Sequence, residues 1–204
     1  MFVFLERSDT FVPTTYVAEL QPLAGRHILP ILQALSMLFE GAVLGLHGRP
    51  QEGLEIIEQG TEMMANLQIK LYQPGLLLIR SELLTNLERV QDALVCISDG
   101  FDIVSVSHEH WGNTELHRVC GEFHASLAQE SEAEVAFTAA LAIAREQKAK
   151  WWELRAATSL AQLWQSQEKS HEARELLTSI YDWFTEGLDT ADLTSARALL
   201  DEFP

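Results

Sequence analysis

The chain has 204 residues and carries 30 acidic against 14 basic side chains, which gives a formal net charge of −16. This charge argues against nucleic acid and anionic membrane surfaces as partners, because Lys and Arg must neutralise phosphate there. It permits a basic partner, and it also serves solubility alone. Apolar residues make up 47%, with only 6 Pro and 11 Gly, so the composition predicts a globular chain with one sizeable core or two smaller ones.

The cysteines and the first residues favour a cytoplasmic protein. Cys96 and Cys120 form no CxxC pair and fall in apolar helical patterns, which indicates reduced, buried thiols. The stretch from Met1 to Phe11 lacks the basic start and the long apolar run of a signal peptide. No apolar run approaches the ~18 residues of a membrane span, so we expect no contact with a membrane.

Residues 1–26 form an N-terminal segment that we expect to be an arm or part of a helix pair. Pro13 and the two threonines after it are typical of a helix start, and Gly25 is typical of a helix end. The segment does not share the repeat pattern of the residues that follow it.

Small residues recur every 40 positions in the rest of the chain, and large apolar residues follow them. The small residues are Gly53, Ala93, Ala133 and Ala173, and four positions later stand Ile57, Ile97, Phe137 and Leu177. Twelve positions before each small residue another one occurs, at Gly41, Ser81, Gly121 and Ala161. Small side chains let two helices approach closely, so the pattern predicts repeated pairs in which a helix A packs against a helix B.

Residues 27–188 are predicted to form four such pairs, with short inner turns that make the paired helices antiparallel. The predicted helices A and B are, pair by pair, about Ile28–Leu46 with Pro50–Leu67, Pro74–Leu87 with Val90–Val106, Thr114–Gln129 with Ser131–Gln147, and Ala149–Gln167 with Ser170–Phe184.

Residues 189–204 are predicted to form a C-terminal capping helix. Its apolar stripe consists of Leu193, Ala196, Leu199 and Leu200, which share one helix face. Asp189 or Thr190 is a suitable N-cap, and Gly187 is a suitable end for the preceding helix. A stacked array exposes its last apolar face unless such a helix covers it.

The spacing of Gly121, Ala133, Phe137 and Ala140 resembles the tetratricopeptide repeat, in which helix B carries Ala-x3-Phe-x2-Ala. The resemblance implies an all-α fold, a right-handed superhelical array of antiparallel helix pairs with a C-terminal capping helix. The usual repeat has about 34 residues, so the 40-residue period implies longer helices or longer connections.

Two further motifs, WELRAATSLAQLW and WFTEGLDTADL, resemble the C-terminal repeats of large bacterial signalling proteins. Those proteins join an adenylate/guanylate cyclase domain, or a DNA-binding transcriptional activation domain, to a P-loop ATPase and then to a tetratricopeptide array. This chain has no GxxxxGK[ST] phosphate loop and no cyclase pair of metal-binding aspartates. The resemblance therefore implies a regulatory region with attached or associated ATPase or cyclase domains, and not an enzyme.

Histidines cluster at His108, His110, His117 and His124, but two more converging ligands would be needed for a structural zinc site. We therefore predict no metal and no cofactor, and expect solvent-facing imidazoles with His124 at a packing position. Cys120 stands next to the packing residue Gly121, so a buried structural thiol is favoured over a nucleophile.

The tryptophans offer either a ligand cage or core packing. We expect Trp164 and Trp183 in the core. Trp151 and Trp152 are adjacent, so one of them should lie at a surface or a joint between repeats.

The predicted partner site is the concave groove that the A helices line. By the repeat register, the groove residues are Leu38, Ala42, Leu78, Glu82, Glu115, Arg118, Glu122, Arg155, Thr158 and Gln162. Such a groove suits a helix or an extended peptide held by apolar anchors, with carboxylates facing its basic residues. The alternative is that some of these positions are ordinary solvated surface, or are covered by the N-terminal segment.

Two other functions remain open at this point. An array with uncovered repeat ends can self-associate, which would make the protein a scaffold and a homodimer. The tryptophans and histidines could instead line the pocket of a small-molecule sensor.

Overall fold

The structure, a computed structural model, describes residues 29–69, 73–106 and 112–203, together with Glu19, Pro22 and Leu23. These residues form nine α-helices and no strand, so the predicted all-α class is confirmed. The helices are α1 (Pro30–Leu46), α2 (Pro50–Asn66), α3 (Gln73–Asn86), α4 (Val90–Val106), α5 (Asn113–Ser126), α6 (Glu130–Glu146), α7 (Lys150–Ser166), α8 (Ser170–Tyr181) and α9 (Ala191–Glu202). The predicted N-terminal segment, apart from the three single residues, lies outside this description.

The chain forms two compact units, residues 1–109 and residues 110–204. The first contains α1–α4 and the second contains α5–α9. In each unit, successive helices contact one another. Connections of three residues reverse the chain between the helices of a pair and between α6 and α7, whereas longer connections join α2 to α3 and α8 to α9. The A helices of the repeat are α1, α3, α5 and α7.

In the first unit, α1 and α2 approach until their backbones touch. A Cβ atom on Gly53 would lie 2.4 Å from the carbonyl oxygen of Gly41, and one on Gly41 would lie 2.5 Å from Cγ1 of Ile57. Gly60 packs in the same way against Leu38. At Gly41 and Gly53 a methyl group would not fit unless the helices moved apart, whereas at Gly60 a small shift of Leu38 would be needed.

In the second unit, an aromatic ring replaces backbone contact. A Cβ atom on Gly121 of α5 would lie 2.5 Å from the Phe137 ring of α6. The surrounding alanines are fully buried, at Ala133, Ala140, Ala157, Ala161 and Ala173. Large side chains from α7, α8 and α9 complete one core, which includes Leu154, Leu160, Leu177 and Leu193.

Six helices end in the same way, and the distances between their ends along the sequence are 20 residues or a multiple of 20. The residue after each C-cap has a left-handed backbone, at Gly48, Gln68, Glu88, Ala128, Lys148 and Glu168. The next N–H then donates to a carbonyl five residues earlier, as Gln129 does to His124 at 2.9 Å, which is the Schellman closure. The 40-residue repeat is thus built from two halves with equal spacing, although only one of the six positions is glycine.

Helix α9 packs on α7 and α8 with Leu193 and Ala196 fully buried. It begins near the position where the register places the next helix A. Thr190 is its N-cap, but the hydroxyl donates to the carbonyl of Gly187 at 2.7 Å and accepts no hydrogen bond from the first turn of the helix. Gly187, with φ of +68°, lies beyond the end of α8 at Tyr181 and turns the connection, so it is not the C-cap that we expected.

Candidate partner-binding site

Residues that stand 40 apart in the sequence meet in the second unit. Nη2 of Arg155 on α7 donates to Oε1 of Glu115 on α5 at 2.7 Å. These are equivalent positions of two successive A helices, so the contact shows that the same face of each helix lies on the same side of the unit.

A cluster of charges surrounds this contact, and we call it the α5–α7 charge cluster. Its members are Glu115, Arg118, Glu122, Arg155 and Asp192. Arg118 donates to Glu115 through Nε at 2.8 Å and through Nη2 at 2.6 Å, which is a bidentate pair. Its Nη1 pairs with Glu122. Two guanidinium groups thus bind one buried carboxylate, an arrangement that fixes the planar geometry of all three.

The environment of the cluster holds its main ion pair in the charged form. Burial by itself would raise the pKa of Glu115, but the charges and hydrogen bonds of Arg118 and Arg155 outweigh it and the pKa is lowered. Burial would likewise lower the pKa of Arg118, and Glu115 and Glu122 raise it above its usual value. A buried carboxylate that accepts several charged hydrogen bonds behaves in this way.

Asp192 at the start of α9 is the least compensated member of the cluster. Its Oδ2 lies 3.8 Å from Nη1 of Arg155, which is too far for a hydrogen bond. Burial raises the pKa of Asp192, and the nearby Glu115 adds to the rise, whereas Arg155 and Trp151 act in the opposite direction.

The structure separates the predicted groove residues into buried and exposed ones. In the second unit Glu115 and Arg118 are buried, Arg155 and Thr158 are half-buried, and Glu122 and Gln162 are exposed. In the first unit Leu38, Ala42 and Leu78 are buried, whereas Glu82 is exposed. Ala42 and Glu82 line one small pocket of 30 Å³ between α1 and α3. The assignment of these ten residues to a groove remains a prediction.

The histidines that were considered as metal ligands do not come together in the described part of the chain. His117 is half-buried, and burial lowers its pKa, while Nδ1 of His124 lies 2.7 Å from Oε1 of Gln129. The predicted positions His108 and His110 lie outside the described residues. Among the residues that are described, no group of three or more His, Cys, Asp or Glu is placed to hold a metal.

Both cysteines are held as neutral thiols. Burial raises the pKa of Cys96 and of Cys120, so neither has the thiolate character that a nucleophile needs near neutral pH.

One tryptophan differs from expectation. Trp164 packs against the core, and its Nε1 donates to Glu134 at 2.8 Å. Trp183 is 58% exposed, because α8 ends at Tyr181 and leaves it in the connection to α9. There it stacks edge-on to Phe184, with ring centroids 5.1 Å apart, and Nζ of Lys150 lies 5.9 Å from its ring. The prediction that Trp183 belongs to the core was wrong.

A pocket in the first unit was not predicted. It has a volume of 360 Å³ and lies between α2 and α3, with Ile57, Thr61, Leu76 and Arg80 among its lining residues. The signal was present in the register, because Thr61 and Arg80 occupy the positions that Leu141 and Leu160 hold in the second unit.

No family model matches the chain, and no curated protein is significantly similar to it. Several solved structures resemble it. Two of them are of nearly identical TPR-like repeats from a kinesin light chain-like protein of Podosopora anserina. One, a variant with a single substitution, has a TM-score of 0.55 and 17% identity over 84% of this chain and 82% of that one. The other has a TM-score of 0.53 and 16% identity over 93% and 84%.

The fold is tetratricopeptide-like. At this identity the likeness establishes the fold alone. Among the described residues, no helix of this tetratricopeptide-like chain is both long and apolar enough to cross a membrane.

Proposed function

We propose that this tetratricopeptide-like chain is a non-catalytic interaction module that binds a basic peptide or protein segment along the A helices α5 and α7 of its second unit. The observation that carries the proposal is the 2.7 Å contact between Glu115 and Arg155. It sets the equivalent faces of α5 and α7 side by side, and it leaves Glu122 and Gln162 exposed on those helices.

The charge of this surface favours a cationic partner. The α5–α7 charge cluster contains three carboxylates and two guanidinium groups, so one negative charge is uncompensated. Glu122 is the most exposed member, with 49% of its side chain accessible. A negative chain with an exposed carboxylate at the surface steers and orients a basic segment.

Binding can be tested with a fluorescein-labelled amphipathic helix that carries lysines on one side and leucines on the other. Fluorescence anisotropy at low salt should show at least about fivefold weaker binding for the double variant Glu122→Gln, Gln162→Ala, because a directed ion pair and a polar contact are lost. Glu172→Gln is the matched control, since Glu172 is exposed on α8 and its loss changes the net charge equally. Equal affinities for all three proteins would contradict the proposal.

We also propose that the partner is the catalytic machinery of a bacterial cytoplasmic signalling protein. The support is the resemblance of WELRAATSLAQLW and WFTEGLDTADL to the repeats that follow cyclase and ATPase domains. ATP hydrolysis or cyclisation by such a partner domain should change on addition of this chain, and the Glu122→Gln, Gln162→Ala variant should reduce that change. Activity that is indifferent to the chain would rule out this partner.

A further inference from the structure

The joint between helix B and the next helix A differs between the two units. In the second unit, the joint between α6 and α7 is filled by Leu141 and Leu160, both buried. Its end is closed by Glu153, which accepts from Nε of Arg145 at 3.0 Å and from Nζ of Lys150 at 2.7 Å. Leu141 and Leu160 belong to the hydrophobic core of this unit.

The same joint in the first unit, between α2 and α3, is open. At the register positions of Leu141 and Leu160 stand Thr61 and Arg80. The Thr61 hydroxyl donates to the carbonyl of Ile57 at 2.7 Å, so it turns back onto its own helix. The result is the 360 Å³ pocket, which we call the α2–α3 pocket.

The walls of the α2–α3 pocket are mainly apolar. Ile57 and Leu76 are buried, while Leu77 and Ile103 are partly exposed. An apolar group that enters removes this surface from water, which contributes about 25 cal/mol per Å² buried. The volume exceeds that of a single large side chain, so a leucine or phenylalanine enters with part of its backbone.

Polar groups at the rim of the pocket determine which polar groups a ligand must carry beside its apolar group. Nε of Arg80 is buried and has no hydrogen-bond partner among the described residues, and its Nη2 reaches Glu58 only at 3.4 Å. An acceptor on the ligand would satisfy this donor. Glu58 and Glu62 are one turn apart on α2 and both line the pocket, so the rim also attracts a cation.

We propose that the α2–α3 pocket binds a peptide segment of a partner protein in which one large apolar residue is flanked by a basic residue. The apolar side chain enters between Ile57 and Leu76, a peptide carbonyl accepts from Nε of Arg80, and the basic side chain pairs with Glu58 or Glu62. This site extends the proposed function. It rests on that function in one respect only, namely that the partner is a protein. It lies wholly in the first unit and shares no residue with the α5–α7 charge cluster.

The direct test is a titration of the full chain with the peptide acetyl-Ala-Lys-Phe-Lys-Ala-amide, followed by methyl-group NMR. Saturable shifts of the Ile57, Leu76 and Ile103 methyl resonances are expected. Two matched peptides separate the contributions: one replaces both lysines by glutamate, and the other replaces phenylalanine by alanine. Each should bind at least about tenfold more weakly, which corresponds to about 1.4 kcal/mol. Absence of saturable shifts, or equal binding of all three peptides, would overturn the proposal.

A filled pocket provides the matched protein control. The variant Thr61→Leu, Arg80→Leu copies the side chains of the closed joint, so it should unfold at a higher temperature and lose the peptide-induced shifts. Arg80→Met alone is the milder second variant, and it should bind at least about tenfold more weakly because the donor and its charge are gone. Undiminished binding to a folded filled variant would contradict the proposal. The Glu122→Gln, Gln162→Ala variant should show the same peptide-induced shifts of the Ile57, Leu76 and Ile103 methyl groups, so failure at the α2–α3 pocket is distinguishable from failure at the α5–α7 surface.

Discussion

The joints α2–α3 and α6–α7 occupy the same place in the repeat, yet one is a pocket and the other is solid core. Leu141 and Leu160 fill the second joint, whereas Thr61 and Arg80 leave the first one open. The comparison teaches that the repeat register fixes where helices lie, while two side chains decide whether a joint stabilises the fold or offers a surface.

The A helices show a second difference at matched positions. In the first unit Gly75 and Leu78 of α3 are buried apolar residues, whereas their equivalents Glu115 and Arg118 of α5 form a buried ion pair. At these positions the stability of the second unit therefore depends on pairing buried charges, whereas the stability of the first unit depends on apolar packing.

The largest effect is expected from removing the shared carboxylate of the second unit. Glu115→Gln leaves the guanidinium groups of Arg118 and Arg155 buried without their main counter-charge, which should cost about 3–5 kcal/mol. Urea unfolding followed by tryptophan fluorescence measures the loss in this unit, since every Trp of the chain lies between residues 111 and 183.

The pH dependence of that loss follows from the lowered pKa of Glu115. The stabilisation that Glu115 provides is complete above about pH 4.3, which is the pKa of a glutamate in the unfolded chain. It disappears as the pH falls through the lower pKa that Glu115 has in the folded protein. The difference between wild type and variant should therefore shrink in acid. Glu132→Gln, at an exposed position of α6, is the control, and a comparable loss from it would contradict the special role of Glu115.

Replacing a packed glycine by alanine creates a steric clash in either unit, but the clash should be easier to relieve in the second unit. Gly53→Ala places a methyl group against the backbone oxygen of Gly41, so α1 and α2 must separate at a cost of about 1–3 kcal/mol or more. Gly121→Ala meets the ring of Phe137 instead, and Phe137→Leu should recover part of the loss. A double-mutant cycle followed by circular dichroism measures the coupling, and strict additivity at Gly121 and Phe137 would show that the ring is not the obstacle.

Asp192 should respond to pH in the direction opposite to Glu115. Its pKa is raised by burial, so its neutral form stabilises the fold below the unfolded pKa of about 3.9, and this contribution is lost as pH rises. Asp192→Asn should therefore increase stability at pH 7, by less than about 1 kcal/mol because Arg155 partly compensates the charge. The gain should vanish near pH 3, and the exposed Asp189→Asn should show none of it.

The smallest effects concern a feature that both units share. Ala128 and Lys148 adopt left-handed φ values of 56° and 55°, which glycine accepts without a Cβ penalty. Ala128→Gly and Lys148→Gly should each stabilise the chain by about 0.5–1 kcal/mol. Ala125→Gly within α5 is the control, and thermal unfolding should show it to be destabilising, because glycine is unfavourable inside a helix.

The helices were predictable because their signals are local. The observed ends of the paired helices lie within three residues of the predicted ones, since short turns and small packing residues recur at a constant spacing. The early end of α8 has the clearest consequence. Trp183 and Phe184 continue the apolar pattern after Tyr181 although the helix does not, and Trp183 is exposed as a result.

The sequence by itself determined an all-α repeat of helix pairs, because periodicity specifies which face of each helix is apolar. Only the tertiary structure decided what the polar residues on those helices do. Glu115 and Arg118 were predicted as groove residues, but both are buried. Glu115 also pairs with Arg155, which lies 40 residues beyond it in the sequence. The α2–α3 pocket likewise depends on the space between two helices that Thr61 and Arg80 leave empty. Burial, pairing and empty volume are properties of several helices together, so no single stretch of sequence contains them.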